Sequence, residues 1–455
     1  MTAIMINKVA LSITHALAGV ADGAIVMIGG FGTAGIPLEL IDALIAQGAT
    51  GLTVVNNNAG NGEQGLAALL KAGRVRKVIC SFPRQADSQV FDGLYRSGKI
   101  ELELVPQGNL AERIRAAGAG IGAFFSPTGY GTDLAKNSDG TRKETREING
   151  KFYVLEHPLH GDLALIKAER GDRWGNLTYR MAARNFGPVM ATACRTTVAT
   201  VHEVVELGEL DPEQVVTPGI FVQHVVRIDR LATQAGGMLR QSMAYQGRTK
   251  DQLAARVARD IFEGATVNLG IGMPTLVANH IPESREVLLH SENGILGMGP
   301  APAPGLEDYD LINAGKQPVT LRKGGSFFHH ADSFAMMRGG HLDICVLGAF
   351  QVSTSGDLAN WHTGEKDAIP AVGGAMDLAV GARQTWVMMD LLTKKGESKI
   401  VVQCSYPLTG IACVKRIYSD LATFECSSAG LRLVDKVEGL EHAELERLVG
   451  LPIRP

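Results

Sequence analysis

The chain has 455 residues, of which 45% are hydrophobic and 20% charged, and a formal net charge of −3. At roughly 100–200 residues per domain this is a folded globular chain of several domains, not a disordered one, and its glycines follow no collagen-like period. Nearly balanced charge argues against a nucleic-acid or anionic-membrane footprint, and no apolar run reaches the ~18 residues of a membrane span.

The first residues are broken by Asn7, Lys8, Thr14 and His15, unlike a signal-peptide core, and the first arginine is Arg74, unlike a transit peptide. Six cysteines (Cys80, Cys194, Cys345, Cys404, Cys413, Cys426) form no CxxC pair. A cytoplasmic protein with reduced thiols is the expectation.

In chain order, the apolar run ending at Gly29 enters the turn Gly29-Gly30-Phe31-Gly32-Thr33-Ala34-Gly35, and Leu38, Ile41 and Leu44 then follow at helical spacing. This strand, turn and helix either hold a phosphate on free backbone N–H groups or form only a tight turn. Further strands are expected at 52–55, 78–80, 100–105, 164–168 and 197–201. Asn56-Asn57-Asn58 reads as turn chemistry. Gln107 follows the 100–105 strand and offers an amide donor beside Gly108. Residues 136–151 are charged and read as a solvated loop or hairpin.

Small and polar residues at 232–244 mark a linker, which divides the chain into 1–231 and 245–455. After it, 251–262 reads as an amphipathic helix with Leu253, Val257 and Ile261 on one face. The run 264–270 then repeats the pattern of 23–29, again leading to a proline and an apolar stretch of helical spacing. Two later pairs, 161–168 with 340–347 and Arg195 onward with Arg383 onward, recur in the same order. Three ordered pairs predict a domain duplication. Further strands are expected at 287–290, 344–347 and 386–389. The fold class predicted is α/β, two related open domains with largely parallel sheets, whose ligands sit at the strands' carboxyl ends.

At one such end lies Ser291-Glu292-Asn293-Gly294. From spacing alone, Glu292 is a nucleophile, a general base, a metal ligand or a cap. Gly373 and Gly374 offer exposed backbone N–H groups, and a donor from each half aimed at one point makes an oxyanion hole. His329-His330 is a possible metal pair without a third ligand at helical spacing, so no metal is expected. No GxSxG elbow is present.

With these segments in view, the chain resembles the class I coenzyme A transferases over nearly its whole length. The words that carry the likeness are Asp22–Pro37 in the first half and Leu289-His-Ser-Glu-Asn-Gly-Ile-Leu-Gly297 in the second. Val55–Glu63, Cys80–Ser88 and Phe328–Phe334 resemble the branch acting on 3-oxoadipate, here with both subunits fused. The resemblance implies that Glu292 is the nucleophile, with Gln107 and the Gly374 N–H as oxyanion donors. It implies that the turn Gly29–Gly35 binds CoA, and that Asn268 and Lys316 contact CoA or support the glutamate. It also implies CoA as substrate with no permanent cofactor, succinyl-CoA and a 3-oxo acid as partners, and assembly of chains into oligomers. Arg84 and His330 are candidate partners for an acceptor's second carboxylate.

Overall fold

The computed structural model describes residues 6–137, 140–229, 247–365, 368–427 and 429–455. The linker expected at 232–244 lies outside the described residues. The first half is built on seven strands: β1 (Ile25–Ile28), β2 (Leu52–Val55), β3 (Val75–Cys80), β4 (Glu101–Leu104), β5 (Gly161–Lys167), β6 (Cys194–Val201) and β7 (His224–Arg227). They lie in the order β7-β6-β5-β1-β2-β3-β4 with every pairing parallel. All-parallel strands are buried on both faces, and β2 reads accordingly as Leu-Thr-Val-Val with every residue buried.

The second half carries nine: β8 (Thr266–Leu269), β9 (Leu288–Ser291), β10 (Ile295–Met298), β11 (Leu321–Phe327), β12 (Ile344–Leu347), β13 (Gln384–Met389), β14 (Val414–Ser419), β15 (Ala422–Ser427) and β16 (Gly430–Lys436). Their order is β11-β10-β9-β8-β12-β13-β14-β15-β16, with the run β9 to β14 parallel and antiparallel strands at both edges.

The duplication read from the sequence occupies equivalent places in the two sheets. β1 pairs with β5, and β8 with β12, while β6 and β13 lie one strand further out. The bonds repeat too. Asp162 accepts from the Ile25 N–H and Asp343 from the Thr266 N–H, each at 2.9 Å. Gly29 donates to Leu165 O and Gly270 to Val346 O, each at 2.8 Å.

The helices that matter for the site are α1 (Leu38–Gln47), α2 (Gln107–Gly118), α3 (Lys250–Asp260), α4 (His330–Arg338) and α5 (Ala375–Gly381). α3 matches the amphipathic helix expected; Thr249 and Gln252 form its capping box and Leu253 and Val257 are buried. The corresponding stretch after β8 departs from expectation. Met273–His280 is wound as a 3₁₀ helix, entered from Gly272 at φ +90° and with the donorless Pro274 in its first turn. The charged stretch beyond residue 136 forms the hairpin Thr145–Ile148 with Lys151–Glu156.

The halves are bonded along a seam. Arg180 pairs with Asp308 and, at 3.0 Å, with Asp310; Arg338 of α4 reaches Glu112 of α2 at 3.2 Å. Among the described residues no helix is long and apolar enough to cross a membrane.

Candidate active site

Glu292 sits in the hairpin between β9 and β10, at the carboxyl end of β9, where the seam opens. The turn is fixed by its neighbours. Ser291 Oγ donates to Asn293 Oδ1 at 2.6 Å, Asn293 Nδ2 to Ile312 O at 2.7 Å, and Gly294 N–H to Ser291 O at 3.0 Å. Gly294 has φ +104° and lies so close to the Phe328 carbonyl that a side chain would collide with it. Two residues earlier, His290 is buried and its pKa is pushed down to about 3, so the ring is neutral. It faces Asn268 Nδ2 at 3.0 Å through Nδ1 and Ser333 Oγ at 3.1 Å through Nε2. The amide donates, so Nδ1 accepts and Nε2 carries the proton.

Only 4% of Glu292 is exposed. Burial, and then the charge of Asp377, raise its pKa to about 7; Gln107 and Lys316 act in the opposite direction. A carboxylate held this way is more basic than one in water, and its charge is poorly solvated.

The two candidate donors approach it from opposite halves. Gln107 opens α2 and is buried. The Ser81 hydroxyl sits between Asn57 Oδ1 at 2.6 Å and Gln107 Oε1 at 3.3 Å, which leaves the Gln107 NH₂ on the Glu292 side. That NH₂ supports the ionised carboxylate but makes no hydrogen bond within 3.5 Å, so it is a buried donor free for another oxygen. Gly374 precedes α5 and its Cα lies against Glu292 Oε2, so that a methyl group there would overlap the carboxylate. The main chains are joined directly. Gln107 N–H donates to Gly373 O at 3.0 Å, and the N–H groups of Val372 and Gly373 both donate to Ser81 O, at 3.2 and 3.1 Å.

A bipartite cleft leads to this point. The inner chamber, about 270 Å³, holds Glu292 and Gly374 among apolar walls such as Met273, Leu347 and Met389; Lys399 is its other charged residue. The outer chamber, about 910 Å³, is lined by Thr33, Arg84, Gln85, Lys316 and His362. Phe82, Ile271, Phe350 and Asn360 line both, so the two chambers adjoin. Lys316 stands near the junction. Its ammonium donates to Gln85 Oε1 at 2.7 Å and lies within 6.0 Å of the Phe31 and Phe82 ring centres. Burial lowers its pKa to about 8, against the pull of Glu292.

The structure therefore brings Glu292, Gln107, Gly374 and Lys316 together, and redistributes the other candidates. In the glycine turn, the N–H groups of Gly29, Gly30, Phe31 and Ala34 bond within the protein at 2.8 to 3.1 Å, so they offer no phosphate cradle. Gly32 and Thr33 are the residues of that turn on the outer chamber, and Gly35 (φ +69°) packs against Ala183 O. Asn268 lines neither chamber; its amide bonds to His290 and so supports the strand that ends at Glu292. His330 is buried between Phe31 and Phe186, with ring centres 5.4 and 4.2 Å away, and reaches neither chamber. Arg84 lines the outer chamber, away from Glu292. Asn56-Asn57-Asn58 forms a turn, with Asn58 N–H donating to Asn56 Oδ1 at 2.8 Å, but Asn57 also positions Ser81. Sequence reading passed over Asp377, Ser81 and Lys399; only Asp377 left a signal, as a charge inside the otherwise apolar α5.

A buried carboxylate, with the unpartnered Gln107 amide on one side and the Gly374 main chain on the other, thus stands at the seam of two repeated parallel-sheet halves. The model of the coenzyme A transferase family matches residues 10–227 and 250–438, and the chain belongs to that family. It is 44% identical over 452 residues to mouse mitochondrial succinyl-CoA:3-ketoacid coenzyme A transferase 2A, covering 93% of this chain and 85% of that one. The two-subunit 3-oxoadipate CoA-transferase of Pseudomonas putida matches it half by half. One of those subunits is 69% identical to the first half (51% of this chain, 98% of the subunit), and the other is 68% identical to the second half (45% and 96%). The acyl-CoA transferase YdiF apoenzyme of Escherichia coli shares the fold, with a TM-score of 0.79 at 20% identity over 99% of this chain and 94% of that one. The protein is a CoA-transferase enzyme.

Proposed function

We propose that the enzyme moves CoA from succinyl-CoA to 3-oxoadipate by ping-pong chemistry on Glu292. The observation that carries this is a buried carboxylate at the end of a cleft, with the unpartnered Gln107 amide from one half and the Gly374 main chain from the other beside it. Ionised Glu292 attacks the thioester carbonyl and expels CoA thiolate, forming a mixed anhydride. The thiolate attacks the glutamyl carbonyl, succinate leaves, and a glutamyl-CoA thioester remains. The acceptor carboxylate attacks that thioester, thiolate leaves again, and thiolate attack on the acyl carbonyl of the new anhydride releases acyl-CoA and the free Glu292 carboxylate. No net proton or redox equivalent is exchanged. The Gln107 NH₂ and Gly374 N–H stabilise each tetrahedral oxyanion, and the buried position of Glu292 among apolar walls limits the access of water to the anhydride.

The cationic outer chamber, with Arg84 and Lys316, suits the phosphates of CoA, and the inner chamber suits the acid. Succinate and 3-oxoadipate both carry a second carboxylate, which Lys399 would meet. High identity to both halves of a 3-oxoadipate enzyme supports this acceptor. The fused arrangement shared with the mouse enzyme favours, as a second reading, transfer to a monocarboxylic 3-oxo acid such as acetoacetate. Six free cysteines suit a reducing, cytoplasmic setting, and we take the working unit to be an oligomer.

Incubation with succinyl-CoA and no acceptor is expected to leave a hydroxylamine-sensitive adduct on the peptide holding Glu292; mapping by mass spectrometry to any other peptide would remove the mechanism. An acceptor panel with succinyl-CoA should rank 3-oxoadipate above acetoacetate by kcat/KM, and Lys399→Met should narrow that gap.

The pH profile follows from the site. Glu292 attacks only when ionised, so kcat/KM should climb as pH rises through about 7. Lys316, with its pKa lowered to about 8, loses its charge on the alkaline side and the rate should fall there. Lys316→Arg should keep its charge and abolish the alkaline limb; a limb that survives this change belongs to another group.

A further inference from the structure

Asp377 is the one fully buried carboxylate among the described residues, and nothing in the transfer chemistry above uses it. It lies in the first turn of α5, three residues after Gly374. Its Oδ2 accepts from the Gly108 N–H at 3.0 Å, its Oδ1 from Thr128 Oγ1 at 2.9 Å, and the Arg338 guanidinium stands 3.5 Å away. Gly108 follows Gln107 in the first turn of α2. One side chain of the second half is therefore bonded to the turn that carries one oxyanion donor while standing on the turn that carries the other. The fit leaves no slack. A methyl group on Gly108 would collide with this carboxylate and meet the Phe334 ring at 2.6 Å, and the same ring closes the space over Gly374 at 3.2 Å.

We propose that Asp377 is a positioning residue, whose carboxylate clamps the two donor-bearing turns together across the seam and places a fixed negative charge behind the nucleophile. The proposal rests on the reading of Glu292 as that nucleophile. A purely structural clamp would not need a charge, because an amide could accept from the Gly108 N–H through its oxygen and donate to the Thr128 hydroxyl through its NH₂, and a buried charge is costly. The charge has a use at this place. Acylation neutralises Glu292, so repulsion between the two carboxylates is present before attack and relieved after it, which favours the acyl-enzyme. The other groups facing the pair are accounted for. Arg338 on α4 is shared with Glu112 of α2, Lys316 attracts Glu292 from the outer chamber, Lys399 lines the inner chamber with Glu292, and His330 on α4 is kept uncharged by burial, its pKa pushed down to about 3; burial raises the pKa of Asp377 itself, while Arg338 and the donors Thr128 and Gly108 act to keep it ionised. The raised pKa of Glu292, to which Asp377 is the second contributor, agrees with this arrangement.

The test uses the full-length enzyme with succinyl-CoA and 3-oxoadipate over about pH 5 to 9, with circular dichroism to check folding. Asp377→Ala is expected to lower kcat by about 10²–10³, as loss of an oxyanion donor does, with KM changed less than about threefold. Asp377→Asn can keep the bond from Gly108 and lacks the charge. It should regain at least about tenfold of the lost kcat, and the acid limb of its kcat/KM profile should move to lower pH than in the wild type. A folded Asp377→Ala enzyme with kcat within about threefold of wild type would overturn the clamp. An Asp377→Asn profile with an unmoved acid limb would overturn the electrostatic role, and it decides the matter even where the alanine variant fails to fold. Wild-type enzyme that exchanges no CoA would instead strike down the reading of Glu292, before any substitution is made.

Discussion

Glu292→Gln is expected to abolish CoA transfer and to make the protein more stable. The loss is near complete because in the proposed mechanism both acyl intermediates form on that carboxylate, and a neutral amide does not attack a thioester. The gain follows from linkage. Folding raises the Glu292 pKa from its ordinary 4.5 to about 7, so the folded state favours the protonated acid. That contribution is fully present below about pH 4.5 and is lost as pH rises through about 7, when a charge is forced into a site that is 4% exposed. At about 1.4 kcal/mol per tenfold change in an equilibrium constant, ionisation costs about 3 kcal/mol at pH 8. The glutamine variant never ionises, so it should melt a few degrees higher than wild type at pH 8 and at the same temperature near pH 4. An inactive variant with no such pH-dependent gain would mean that the side chain is solvated in the native state. A variant with wild-type turnover would remove the covalent mechanism altogether.

Gly374→Ala is expected to lose about 10²–10³ in kcat while the fold survives, the size of effect seen when one preorganised donor is lost. The backbone tolerates the change, since Gly374 has φ −86°, and replacing an N-cap glycine by alanine costs on the order of 1 kcal/mol, too little to unfold the chain. The obstacle is spatial. The new methyl would occupy the place of Glu292 Oε2, and the buried Phe334 ring, 3.2 Å from it, leaves no room to shift the other way. The nucleophile must then turn away from its donors. Gly93→Ala in the helix Gln89–Arg96 is the matched control, because a methyl group there meets nothing within 4 Å and touches no part of the cleft. Equal kcat in the two variants would show that the Gly374 position does not face the reacting carboxylate.

How far the sequence could be read depended on how local the cause was. The β2 and β12 strands fell on the residues expected, and the helix before β8 was legible in its capping box and apolar face, because each depends on neighbours a few residues apart. The repeated halves were legible because equivalent strands keep equivalent patterns, down to the aspartate that accepts from the first strand of each sheet. Glu292 could be placed at a strand end by the same local argument. The glycine turn was legible as a turn but not as a ligand site, since the N–H groups of Gly29 and Gly30 are taken up by Leu165 and Asn185, more than a hundred residues away in the chain.

The amino-acid order by itself thus determined two related parallel-sheet halves, a turn at the end of each first strand, and a carboxylate standing where such sheets bind ligands. Tertiary structure alone decided that Gln107 and Gly374 meet at that carboxylate, that Lys316 guards the way in while His330 is shut inside aromatic packing, and that Asp377 lies behind the site. The reason is physical: hydrogen-bonding pattern and side-chain period are set within one turn or strand, whereas the approach of Gly374 and Asp377 to Glu292 is fixed only when the second half packs, and that of Gln107 only when the two halves close against each other along the seam.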